Sequence, residues 1–410
     1  MRGVAIVIAS SSSQSPHLRG ALLACLLRLV SPGLGLIVGC TDGAAGSDAG
    51  APGVALPADP SGGASGGSPA AGGEGSGGTG ILEPYDPRPI SDDVRVTIAG
   101  RRILVNGDPL HIRGVCWNPV GRGGVHPDDL DYSGFVGQDA ALMRDAGVNA
   151  VRTYGPITSR SVLDQLQAAG IYVLYTVYSW GGAEPASVTD TIAQVKDHPA
   201  ILMWVVGNEW NYNGLYNGMG HAESLARINA VASLVREVDA SRPIATVYGE
   251  MPTAETLSAM PNIDVWGLNV YRGLGFGDLF QQWQARSTKP MFLAEYGADA
   301  WNANIPGPDF ESQAHATSVL TQLLVDESAA LGNGVSSGGT VFAWADEWWK
   351  AGNPSVHDSG GSAPGGGPYP DQVFNEEWWG VVDVDRELRP AYDALAAIYR
   401  TLGPTPGAAR

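Results

Sequence analysis

Two glutamates stand where apolar runs of the chain come to an end. The stretch Trp204-Val205-Val206-Gly207-Asn208-Glu209 reads as a buried strand finishing on an amide and a carboxyl group. Phe292-Leu293-Ala294-Glu295-Tyr296-Gly297 likewise ends near a carboxyl group. Two carboxyl groups that share one bound sugar can cleave its glycosidic bond. One, protonated, delivers a proton to the leaving oxygen, and the other, ionised, attacks the anomeric carbon. A separation of about 5 to 5.5 Å gives a covalent intermediate and retention of configuration. Other residues able to assist gather at the ends of similar runs: Arg152, Asn208, Tyr271 and Trp344. Glu250 also ends an apolar run and is a rival carboxyl group, but no motif surrounds it. His357-Asp358 offers two metal ligands without a third at telling spacing, and the chemistry needs neither metal nor cofactor.

Such residues need a scaffold that brings distant strand ends together. Short apolar runs at 111–117, 150–154, 172–178, 202–209, 244–250, 264–271, 291–297 and 341–348 alternate with helix-like stretches. Helical patterns cover 135–146, 161–169, 222–238 and 313–330, and Gly147 and Gly170 cap two of the helices before the next strand. The βα alternation predicts a parallel sheet, and eight repeats over this length predict an α/β fold of the closed (β/α)8 TIM barrel type. An open doubly wound sheet is the alternative, but it lacks a glycine-rich phosphate loop after the first strand. Ahead of the barrel, runs at 94–98 and 102–105 read as a hairpin able to cover its bottom. Reactive groups of this barrel sit at the C-terminal ends of its strands, and strands four and seven lie on roughly opposite sides of the mouth. That places Glu209 and Glu295 across one opening.

The motifs resemble glycoside hydrolase clan A, the barrel superfamily with catalytic carboxylates on strands four and seven. Asp197-His198-Pro199 through Trp204, followed by Gly207-Asn208-Glu209, is similar to the acid/base region of glycoside hydrolase family 2. So are Asn106-Gly107-Asp108-Pro109-Leu110 leading to Arg113-Gly114-Val115, and Ala146-Gly147-Val148-Asn149-Ala150-Val151-Arg152-Thr153. Lys289-Pro290-Met291 through Glu295-Tyr296-Gly297, with Trp266 to Tyr271, also resembles the β-1,3-glucanosyltransferases of family 72. The resemblance covers roughly residues 94 to 400 and implies roles position by position. Glu209 becomes the acid/base, and Asn208 binds the sugar 2-hydroxyl. Glu295 becomes the nucleophile, with Arg152 and Tyr271 hydrogen-bonded to it, and Trp344 floors the donor subsite. A guanidinium beside a carboxylate lowers its pKa, whereas burial and a second carboxylate raise that of a neighbour. The chain departs from the pattern in carrying only a hairpin where family 2 enzymes have β-sandwich domains. It also has a long segment after strand eight, with Asp346, Glu347, Trp348 and Trp349, then Trp378 and Trp379. Asp346, Glu347 and Trp348 are taken as candidate substrate contacts from a loop over the cleft.

Composition narrows the partners. A formal net charge of −18 disfavours nucleic acid, which needs a basic face, and makes polyanionic substrates awkward. A polysaccharide or oligosaccharide is the easier partner. Residues 1–40 read as an export signal of bacterial lipoprotein type, with Cys40 as the lipidation site and membrane attachment through it. Simple secretion is the alternative localisation. Residues 41–90 collapse to Gly, Ala, Ser, Pro and Asp and read as a disordered tether. Residues 91–403 form the catalytic domain, whose single cysteine, Cys116, reads as a buried free thiol. The expected function is retaining hydrolysis or transglycosylation of β-linked glycans, with β-glucan favoured by the family 72 resemblance and the tether. A carbohydrate-binding surface protein on a retired barrel, or an anchored surface scaffold, is the competing class.

Overall fold

The structure is a computed structural model and describes residues 87–359, 363–364 and 367–409. The expected export signal, Cys40 and nearly all of the tether lie outside the described residues. In chain order the strands are β1 (Val96–Ala99), β2 (Arg102–Val105), β3 (Asp108–Pro109), β4 (Ile112–Cys116), β5 (Ala150–Arg152), β6 (Tyr172–Tyr178), β7 (Ile201–Val206), β8 (Ile244–Gly249), β9 (Val265–Asn269) and β10 (Met291–Tyr296). After these come β11 (Trp301–Asn302), β12 (Gly307–Pro308), β13 (Ser336–Val341), β14 (Ala363–Pro364) and β15 (Val373–Phe374). The helices are α1 (Tyr132–Ala146), α2 (Arg160–Ala168), α3 (Ser187–Val195), α4 (Trp210–Asn213), α5 (His221–Val238), α6 (Ala254–Ser258), α7 (Leu279–Arg286), α8 (Phe310–Asp326) and α9 (Pro390–Tyr399).

β4 to β10 and β13 close into a parallel barrel in the order β10-β13-β4-β5-β6-β7-β8-β9, with β9 returning to β10. This is the expected TIM barrel. Strand pleating sorts the apolar side chains into two cores. Tyr172 and Leu174 of β6 pack inside the barrel, while Val173, Tyr175 and Val177 meet the surrounding helices. The interior core continues without a break into the hairpin through Val96, Ile103, Val105 and Leu110. The hairpin therefore plugs one end of the barrel. Ile90 is already part of this interior core and pairs with Ala408, so the segments flanking the barrel meet each other.

The last barrel strand corrects the sequence expectation. It was expected at 341–348, where the chain is apolar, and it is formed by Ser336-Ser337-Gly338-Gly339-Thr340-Val341 instead. Squeezed between β10 and β4, this strand has no room for side chains at its middle. A Cβ on Gly338, whose φ is +97°, would lie 2.2 Å from the Ile112 carbonyl oxygen. Closure selects glycine there, and glycine hides the strand from a search for apolar runs.

Candidate active site

At the exit of β7 the chain turns through Gly207, with φ +82°, where a Cβ would lie 2.7 Å from the Ile228 side chain. Glu209 follows with φ 45°, a left-handed conformation that is costly for a residue with a side chain. It is held there from both sides. Its N–H donates to the Val247 carbonyl of β8 at 3.0 Å, and its own carbonyl accepts from Tyr212 and Asn213 N–H groups of α4. The carboxyl group is thus fixed to a rigid turn at the barrel mouth.

Glu295 reaches the mouth by a different device. Phe292 and Ala294 of β10 point into the barrel, so strict alternation would turn Glu295 outward. The pairing of β10 with β9 slips between Leu293 and Glu295, and that with β13 slips between Leu293 and Tyr296. The irregularity re-aims Glu295 toward the mouth and returns Tyr296 to the outer core, as bulges beside active sites do.

Three donors converge on Glu295. Arg152 Nη1 donates to Oε1 at 2.7 Å, Tyr154 OH to the same oxygen at 2.7 Å, and Tyr271 OH to Oε2 at 3.0 Å. Arg152 is almost fully buried, so its charge acts on Glu295 with little screening by water. Burial holds the phenols of Tyr154 and Tyr271 well above the ordinary tyrosine range, which keeps both as donors. The other Arg152 nitrogen, Nη2, donates to Asn208 Oδ1 at 2.5 Å. Asn208 also donates to Tyr216 OH at 3.1 Å. Glu209 stands in the opposite electrostatic situation. Burial first, and the Glu295 charge second, push it up to about 7, against the opposing pull of Asn269 and Arg152. One carboxyl group is dressed with donors, and burial makes its neighbour a weaker acid.

The structure therefore brings together Glu209, Glu295, Arg152, Asn208 and Tyr271. Tyr154 and Asn269 join them, although the sequence reading passed over both. Each lies two residues from a residue that was singled out, Arg152 and Tyr271, and strand periodicity puts such pairs on one face. That was the available signal.

Four expected substrate contacts are placed elsewhere. Trp344 is buried in the outer core against Tyr392 of α9, with ring centres 6.3 Å apart. Because β13 ends at Val341, the residue at the strand mouth is Phe342. Its ring lies 6.3 Å from that of Tyr154 and 5.3 Å from that of Trp379, which in turn packs on Tyr271. Asp346 is buried and bonded to Arg389, with Nη1 donating to Oδ1 at 2.8 Å, and it accepts the Gly380 N–H. It ties the last loop to the start of α9. Trp348 stacks on His357, which stacks in turn on Trp378, so these rings form the loop's own packing. Glu347 is buried beneath Lys350, at 2.9 Å, and accepts from Asn118 Nδ2. The rival Glu250 is paired with Arg272. Cys116 is a buried free thiol that donates to the Ala294 carbonyl. Among the described residues no group of three or more His, Cys, Asp or Glu side chains could hold a metal ion.

Comparison with known proteins is consistent with this architecture. The profile of the glycosyl hydrolases family 2 TIM barrel domain matches residues 178–308, a stretch that contains both glutamates. Human β-glucuronidase is 26% identical over 229 residues, covering 50% of this chain and 33% of that protein. The β-glucuronidase of Streptococcus agalactiae is 23% identical over 248 residues, covering 50% of this chain and 39% of that protein. Among solved structures, the Eisenbergiella tayi β-galacturonidase bound to galacturonate superposes with a TM-score of 0.55 at 19% identity, covering 76% of this chain and 55% of that one. The β-D-glucuronidase of Dictyoglomus thermophilum superposes with a TM-score of 0.57 at 20% identity, covering 76% and 54%. These likenesses establish the barrel. The chain spans between a third and two fifths of the length of these two curated relatives.

Proposed function

We propose that this chain is a retaining glycosidase or transglycosidase acting on β-linked glycans, with β-glucan as the favoured substrate. The carrying observation is the split between the two carboxyl groups: three donors grip Glu295, while Glu209 stays protonated up to about 7. That split is what double displacement asks of a carboxyl pair. A Glu295 oxygen attacks the anomeric carbon as the bond to the leaving oxygen breaks, and that oxygen takes the Glu209 proton. Glu209, now a carboxylate, removes a proton from water or from an acceptor sugar hydroxyl. The oxygen so released attacks the same carbon and frees Glu295. The family 2 profile and the β-glycosidase relatives support a glycosidase; the family 72 resemblance supports β-glucan and transfer. Export, with attachment to a membrane through a lipidated Cys40, belongs to the same reading and is supported by the apolar run that precedes that cysteine.

The test is incubation with a panel of β-linked glucans and oligosaccharides, with products separated by size and the first-formed anomer followed by proton NMR. The β anomer appearing first supports retention, and products longer than the substrate mean transfer. Glu295→Gln should abolish turnover. A wild type without turnover whose Glu295→Gln variant keeps the same sugar affinity would identify a carbohydrate-binding protein instead.

A further inference from the structure

The wall of the mouth beside Phe342 carries a charged array that the two-carboxylate mechanism does not use. Lys350 Nζ lies 4.3 Å from the centre of the Phe342 ring, on the last loop. It is held between two carboxyl groups, Glu347 at 2.9 Å and Glu376 at 3.0 Å. Glu347 is buried with 2% of its side chain exposed, whereas Glu376 keeps 33% and Lys350 19%, so the outer pair reaches solvent. Glu376 lies close enough to Glu209 for its charge to help raise the acid/base. Phe342 in turn neighbours Tyr154, a donor to Glu295. The array therefore stands beside the same sugar that Glu209 and Glu295 would share.

We infer that Lys350 and Glu376 form a specificity wall of the donor subsite, which takes a neutral sugar through its hydroxyls and turns away a uronic acid. The inference rests on the glycosidase reading above. Lys350 donates to Glu376 and is ion-paired with Glu347, which leaves at least one of its three ammonium protons for a hydroxyl oxygen. Glu376 accepts from Lys350 through one oxygen, and a carboxylate has capacity for a sugar hydroxyl besides. A sugar hydroxyl can use both partners because it donates and accepts. The carboxylate of a uronic acid can only accept. It would bring a further negative charge into a mouth whose cations are already engaged, Arg152 by Glu295, Lys350 by Glu347 and Glu376, and Arg272 by Glu250. Burying an unpaired charge beside like charges is strongly unfavourable. The preference of this chain would then differ from the activities for which its relatives, β-glucuronidases and a β-galacturonidase, are named.

The experiment compares 4-nitrophenyl β-glycosides of glucose, galactose and mannose with those of glucuronic and galacturonic acid. The full chain is assayed as wild type, Glu376→Gln and Lys350→Met, each checked for folding by its thermal transition. The wild type should turn over at least one neutral glycoside ten times or more faster, in kcat/KM, than either uronide. Glu376→Gln, which removes one of the two carboxylates that neutralise Lys350, should narrow that ratio at least tenfold, and Lys350→Met should raise KM for the neutral sugar. A wild type that prefers a uronide, or a ratio that Glu376→Gln leaves unchanged, overturns the inference. If the wild type cleaves none of the five and none of the β-linked glucans, the glycosidase reading is what fails. Calorimetry with isofagomine and its carboxylate analogue then decides the wall on binding alone. Tighter binding of the neutral compound supports it; tighter binding of the acid, or binding of neither, overturns it.

Discussion

Arg152, at the end of β5, donates to Glu295 of β10 at 2.7 Å, past two intervening strands of the barrel. Its second nitrogen holds Asn208, the residue before Glu209, so one buried guanidinium orients both sides of the mouth. A lysine cannot reproduce that fork, because its ammonium is a point charge without the planar two-pronged geometry. Arg152→Lys should lower kcat/KM about ten- to hundredfold, the equivalent of roughly 1.5 to 3 kcal/mol for one charged hydrogen bond. Steady-state kinetics on the best substrate measures this, and an unchanged kcat/KM would contradict the assigned role.

Tyr154 and Tyr271 each offer one hydroxyl to a different oxygen of Glu295. Replacing either by phenylalanine keeps the ring packing and removes the donor to Glu295, together with, at Tyr154, an acceptor for Arg152 Nη1. Each variant should lose roughly tenfold or more in kcat while its thermal transition moves little. If both substitutions are made together, the loss should depart from the product of the two, since they act on one carboxylate.

Glu209 carries the pH dependence on the alkaline side. Burial and the Glu295 charge raise it to about 7, so the proton it donates is present below that value and lost above it. The pH profile of kcat/KM should therefore fall as pH rises through about 7. Glu209→Gln should remove that limb and cut turnover about a hundredfold or more on glycosides with poor leaving groups. Activated aryl glycosides need no proton and should suffer less, with azide restoring part of the rate. An alkaline limb that persists in the glutamine variant would assign it to another group.

How much of this was legible in the sequence depends on whether hydrophobic pattern and local geometry agree. At β7 they do: an apolar run ends on Asn208-Glu209, and the structure leaves both at the mouth. At β10 the apolar run was visible, but the slip that re-aims Glu295 is a property of pairing with β9 and β13, which a single strand cannot announce. The eighth strand was misplaced because barrel closure demands glycine where a pattern search wants valine. That displacement passed directly into the site, since it made Trp344 rather than Phe342 the residue expected beside the carboxyl pair. Asp346 and Trp348 were read as substrate contacts from residue type alone. Their real partners, Arg389, His357 and Trp378, stand far along a loop whose path the sequence does not specify.

Trp344 and Phe342 can be separated experimentally. Trp344 packs on Tyr392 in the outer core, and its ring nitrogen finds no hydrogen-bond partner among the described residues. Trp344→Phe gives up packing volume but no hydrogen bond, and should cost less than the roughly 3 to 5 kcal/mol of a full Trp→Ala truncation. Its kcat should stay near wild type. Phe342→Ala should instead lower kcat/KM at least tenfold, because it removes the ring that supports Tyr154 and Lys350. The reverse outcome would return Trp344 to the donor subsite.

Asp346 gives the complementary case, a buried acidic residue beyond the last barrel strand that acts through stability. It is buried, bonded to both terminal nitrogens of Arg389, and it also accepts the Gly380 N–H. The geometry clamps the final loop to the N-terminus of α9, which itself packs along α8 and α1. Asp346→Asn would leave the Arg389 charge buried without its counter-ion. Removal of one partner from such a pair typically costs about 3 to 5 kcal/mol. Urea unfolding followed by tryptophan fluorescence should show that loss, with kcat per folded molecule close to wild type at low temperature. Lost turnover with an unchanged unfolding midpoint would mean that Asp346 reaches the substrate after all. The charge-matched double replacement, Asp346→Leu with Arg389→Met, removes both ions and should recover part of the stability that the single variant forfeits, the Gly380 N–H losing its acceptor.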